Sequence, residues 1–100
     1  MPEGLSQPEE PIAAFGVSPP GPRVGQTFQV LDASSDPRGV GIAWRAWDFG
    51  DDTTTTGSCP THRYAAGGCY TITLTLATFD GRLGTTARMI RVAPRGGSPN

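Results

Sequence analysis

At 100 residues the chain has room for one compact domain and not two, and a formal net charge of −1 supplies no broad positive field to hold nucleic acid or an anionic membrane surface. With 36% hydrophobic residues, 14 glycines and 10 prolines, the composition favours short strands and tight turns over helices, whose interiors Gly and Pro disrupt. No run reaches the roughly 20 apolar residues of a membrane-spanning helix, and residues 1–25 lack the basic start and apolar stretch of a secretory signal, so the chain reads as a mature or excised piece of a larger secreted protein or as a small protein that reaches its site without such a signal.

In chain order, residues 1–11 carry Pro2, Pro8 and Pro11 with Glu3, Glu9 and Glu10 and show no periodicity, which predicts an extended arm. Residues 12–93 form the domain. Ile12 to Val17 is a first strand candidate, cut off by Pro19-Pro20-Gly21-Pro22. Gln26 to Ala33 alternates, with Phe28 and Val30 on one face and Thr27, Gln29 and Leu31 on the other. Asp36-Pro37-Arg38-Gly39 is a turn signal, since Pro presets φ and Gly permits positive φ. It leads into the aromatic run Ile42 to Phe49, which Gly50-Asp51-Asp52 ends. A Thr53 to Thr56 run and a short Thr61 to Tyr64 segment follow, and Gly67-Gly68 turns the chain into Cys69 to Thr78. There Tyr70, Ile72, Leu74 and Leu76 alternate with Thr71, Thr73 and Thr75, the pattern of a sheet with one face on the core and one on water. Phe79-Asp80-Gly81 turns again, Thr85 to Val92 returns as the last strand, and residues 94–100 read as a flexible or extended tail. Short strand signals at sandwich-like spacing predict an all-β antiparallel sandwich of about seven strands with no helix longer than about two turns.

Trp47-Asp48-Phe49-Gly50-Asp51, then His62 and Tyr64, then Gly68-Cys69-Tyr70-Thr71-Ile72-Thr73-Leu74 and a downstream Asp80-Gly81 resemble, in order and spacing, the PKD (polycystic kidney disease) domain family's W-D-F-G-D-G, H-x-Y and G-x-Y-x-V-x-L pattern. The resemblance covers roughly Pro11 to Ala93 and implies an immunoglobulin-like sandwich, usually found outside the cell as a spacer, adhesion module or companion of a secreted hydrolase. Three positions depart from the pattern: Asp52 replaces a Gly, Arg38 an acid and Arg45 an aromatic.

His62 is the only histidine and has neither a second imidazole nor a suitably spaced thiolate to share a zinc ion; it reads as a packed, hydrogen-bonded residue, and Tyr64 and Tyr70 as corner and core tyrosines. Asp48, Asp51 and Asp52, with Asp36 nearby, form the one acidic constellation. Some members of the family bind calcium in related turns, but the D-x-D-x-D-G spacing is missing and Arg38 brings positive charge, so the aspartates read as turn formers and no cofactor is expected, calcium being the alternative. Cys59 and Cys69 bracket the H-x-Y segment and would close a short loop if joined, worth on the order of 2–3 kcal/mol; the expectation is a disulfide, with buried free thiols as the alternative. Trp47 and Phe49 share a face, so Trp44 points the other way unless a bulge resets the register.

The expected function is a non-catalytic extracellular or cell-surface module that spaces neighbouring domains or contacts a protein or polysaccharide surface through Trp44, Thr71, Thr73 and Thr75, without nucleic acid or membrane insertion. A complete small structural protein, such as a virion decoration subunit gripping neighbours with its terminal arms, is the alternative. Catalysis is not expected, since no nucleophile, G-x-S-x-G or paired glutamates accompany His62.

Overall fold

A computed structural model describes residues 10–94. The arm expected over 1–11 and the tail over 94–100 fall for the most part outside the described residues. Seven strands are formed: β1 (Phe15–Ser18), β2 (Phe28–Asp32), β3 (Ile42–Asp48), β4 (Thr54–Thr56), β5 (Thr61–His62), β6 (Gly68–Thr78) and β7 (Leu83–Val92). They make two antiparallel sheets in the orders β1-β2-β5 and β4-β3-β6-β7, and no helix occurs among the described residues. The fold is therefore the all-β sandwich that the turn spacing and alternation predict, with the immunoglobulin-like architecture that the resemblance implies. The threonine run after Asp52 supplies a strand of its own, β4, which pairs with β3 through Trp47↔Thr55.

The inner faces follow the alternation. Phe28 and Val30 of β2 meet Trp47 of β3, Ile72, Leu74 and Leu76 of β6, and Ile90 and Val92 of β7, with Phe49 and Tyr64 closing one end. On β7 the inward set is thus Ile90 and Val92, while Met89 faces out and is 68% exposed. Two side-chain bonds tie the buried aromatics to the chain, as a buried Tyr or Trp requires: Trp47 Nε1 donates to the Gly57 carbonyl at 2.7 Å and the Tyr64 hydroxyl to the Phe49 carbonyl at 2.6 Å. Burial pushes the Tyr64 phenol well above its ordinary pKa, with Asp51 adding to the effect.

Arg45 shares the inward side of β3 with Trp47 but reaches across the sandwich, its Nε donating to Asp32 Oδ2 of β2 at 2.7 Å. An ion pair between the sheets thus stands where the family pattern has an aromatic, and the partner carboxylate answers the cost of burying the guanidinium. Close packing also explains Gly50. Its φ is +83°, and a Cβ there would lie 2.7 Å from the Thr71 carbonyl oxygen, so both the turn and the approach of β6 demand glycine.

The structure corrects the disulfide expectation. Cys59 and Cys69 are both free and exposed. Cys59 lies in the loop entering β5 of the three-stranded sheet, where its carbonyl accepts from the Gln29 side chain at 3.0 Å, whereas Cys69 sits in β6 of the other sheet opposite Arg91. Closeness in sequence does not bring the two thiols together, since one lies in a loop beside the three-stranded sheet and the other in the four-stranded sheet.

Candidate functional site

The outer face of the four-stranded sheet is built row by row from its register. Directly opposed residues share a face, so the rows across β3, β6 and β7 read Trp44, Ala77, Leu83; then Ala46, Thr75, Thr85; then Asp48, Thr73, Ala87; and, on β6 and β7 alone, Thr71 and Met89. β4 adds Thr56 opposite Ala46 and Thr54 opposite Asp48. Rows repeat about every 6.8 Å along a strand and columns about every 4.8 Å. The result is a low platform of hydroxyls and methyls, from which Trp44, Leu83 and Met89 rise. The four residues singled out from sequence as contact residues, Trp44, Thr71, Thr73 and Thr75, are brought together on this one face.

Trp44 is 47% exposed while Trp47 is 1% exposed. The pairing of β3 with β6 shifts between Ile42 and Trp44, and this bulge absorbs Ala43, leaving Ala77 opposite Trp44. The small Ala77 lies between the indole and Leu83, which is 60% exposed, so the first row is a shallow trough with two apolar walls. Sequence reading missed Leu83, which it placed before the last strand, and Met89, whose face it left open. The signal was the period-two continuation of Ala87 and Met89 back to Leu83.

At one end of the sandwich, Asp51, Thr53 and His62 form a second polar group. His62 Nε2 and Asp51 Oδ2 are 2.8 Å apart, the Thr53 hydroxyl donates to Asp51 Oδ1, and the imidazole stacks on Phe49 with centroids 4.1 Å apart. Burial opposes ionisation of Asp51, but the Thr53 hydroxyl and His62 outweigh it and hold the carboxyl below its ordinary pKa. Asp48 spends one carboxylate oxygen on the Gly50 amide at 2.9 Å, as a turn-forming aspartate does. The cluster thus ties the β3–β4 turn to β5. The Thr53 hydroxyl also lies 3.4 Å from His62 Nε2, but it donates to Asp51 Oδ1.

Asp36, placed near the other acids in the sequence reading, lies instead before β3 and so at its far end from Asp48. Arg82 grips it with two bonds, Nη1 to Oδ1 at 2.9 Å and Nη2 to Oδ2 at 3.0 Å, and the amides of Arg38, Val40 and Gly41 donate to the same carboxylate. The Arg82 guanidinium holds Asp36 far below the usual carboxylate range, the three amides assisting against burial. Arg82 Nε also pairs with Asp80 at 3.0 Å, and Thr78 donates its hydroxyl to Asp80. Among the described residues, no group of three or more His, Cys, Asp or Glu converges as metal ligands would.

Residues 9–92 match the family described as PKD domain. The chain is 35% identical over 77 residues to a microbial collagenase of Vibrio alginolyticus, an alignment covering 76% of this chain and 9% of the collagenase. It therefore spans less than a tenth of that relative's length. Among solved structures, a PKD domain of Vibrio anguillarum Epp superposes with a TM-score of 0.76 at 26% identity, covering 89% of this chain and 100% of that one. A PKD domain of the Vibrio cholerae metalloprotease PrtV superposes at 0.73 with 31% identity, covering 84% and 98%. A structure from a study of promiscuous carbohydrate-binding modules of the β-sandwich superfamily reaches 0.84 at 26% identity, covering 92% of this chain and 38% of that one.

Proposed function

From the premise that this chain belongs to the PKD domain family, we propose that it is a non-catalytic module, working outside the cell beside other domains, that attaches to a protein or polysaccharide surface through the outer face of the four-stranded sheet. The observation that carries this reading is Trp44, 47% exposed above a flat threonine and alanine platform, while Trp47, Phe49, Tyr64 and Phe28 are spent on the core and the exposed Phe79 belongs to the β6–β7 turn. An indole raised at one end of a flat surface stacks on a sugar ring or fills a pocket of a partner protein at low entropic cost, and Trp leads the residues that dominate binding energy. Leu83 across the trough adds apolar contact, and the threonine rows add hydroxyls without desolvating charge.

Similarity to a collagenase, a metalloprotease domain and a carbohydrate-binding structure supports both a matrix protein and a polysaccharide as the surface contacted. The test is co-sedimentation with fibrillar collagen and with insoluble chitin, native chain against Trp44→Ala. The native chain is expected to pellet with one of them and the variant to lose at least about tenfold in affinity, the loss of a hot-spot contact of about 1.4 kcal/mol or more, with an unchanged melting temperature. Equal retention of the variant removes the reading.

A further inference from the structure

The outermost strand of the larger sheet, β7, is ten residues long and pairs only with β6. On its other side, among the described residues, backbone bonds begin only beyond its end, where Ala93 exchanges with Pro22 and Val24. An exposed edge of that length carries a row of unpaired amides and carbonyls, a template for one more strand.

Two grooves run along this edge, one of about 460 Å³ where Glu10 and Pro11 lie beside Leu83, Gly84 and Thr85 and one of about 420 Å³ between β1 and Arg88–Arg91. The second groove is basic. Arg88 extends over the Phe15 ring of β1, 6.0 Å from its centroid, and Arg91 points to the outer face. Neither has a carboxylate partner among the described residues, in contrast to Arg45 and Arg82. Two unneutralised guanidinium groups on a chain whose formal net charge is −1 form a local positive site.

We propose that the free edge of β7 accepts an extended acidic peptide segment as an added strand, its carboxylates three residues apart, one meeting Arg88 on the inner side and one meeting Arg91 on the outer. The spacing follows from the pleat: residues three apart on a strand lie on opposite faces, as Arg88 and Arg91 do. Main-chain bonds supply affinity and the two ion pairs supply register and selectivity. Met89 and Leu83, both exposed, receive apolar side chains of the incoming strand on the outer side.

The probe is an acetylated and amidated peptide Val-Thr-Glu-Val-Thr-Glu-Val-Thr, with a control in which lysine replaces both glutamates, titrated into isotopically labelled chain and followed by amide shifts and amide exchange. The acidic peptide is expected to shift and protect β7 amides and to weaken severalfold between low and physiological salt. The double variant R88E/R91E, altered at two exposed positions, is expected to lose at least tenfold in affinity for it and to gain affinity for the lysine peptide. Trp44→Ala is expected to bind both as the native chain does, which separates this edge from the outer face. The proposal is overturned by equal binding of the two peptides, by shifts confined to the Trp44 face, by no shift at millimolar peptide, or by β7 amides protected in a peptide-free dimer.

Discussion

Trp44 and Trp47 lie three residues apart on one strand and have opposite fates, because an odd separation on a pleated strand puts side chains on opposite faces. The same arithmetic makes Leu74, fully buried opposite Trp47, a core residue. Leu74→Ala is expected to lower unfolding free energy by roughly 2–5 kcal/mol in denaturant titration, and a change under about 0.5 kcal/mol would mean the void closes or the face is wrong. Tyr64→Phe tests a different contribution. Removing the hydroxyl leaves the Phe49 carbonyl, now bonded at 2.6 Å, without its donor in a buried corner, at an expected cost of about 1–3 kcal/mol. Gly50→Ala is expected to destabilise by more than about 1 kcal/mol, since positive φ and the Thr71 carbonyl both exclude a side chain there.

At the scale of elements, the long hairpin β6–β7 explains most of what is functional. Its inner positions form the core, its outer positions the threonine platform, and its free side the basic edge. Cys69 near its start lies in the four-stranded sheet and Cys59 in the loop before β5 of the other, and both are free and exposed, so both thiols are expected to alkylate in the native protein without reductant, seen as two adducts in the intact mass. Full resistance to alkylation until reduction would contradict the free, exposed thiols described above.

For the whole molecule, acid is the informative stress. Asp36, Asp51 and Asp80 are all held below the ordinary carboxylate value of 3.8 by their partners. A group whose folded pKa is depressed contributes stability that is present above its unfolded pKa and is lost as pH falls through the folded one. The melting temperature is therefore expected to hold from neutrality to about pH 4 and to fall steadily below it. Asp36→Asn keeps the shape but loses the carboxylate charge that Arg82 grips. It is expected to start less stable at neutral pH and to show a shallower fall in acid, checked by thermal melts across that range.

The sandwich, its inward residues on β2 and β6, and the motif of Trp47, His62 and Tyr70 were legible in the sequence, because alternation and turn chemistry are local and the domain is small enough for each strand to have one buried face. The thiol geometry, the bulge before Trp44, the reach of Arg45 to Asp32 and the grip of Arg82 on Asp36 were not. Each depends on which strands become neighbours across 13 to 46 residues of chain, and no local period encodes that pairing. By itself, then, the sequence determined which residues seek the core; only the tertiary structure decided what the outward residues meet, because register and sheet order place them beside groups far away along the chain.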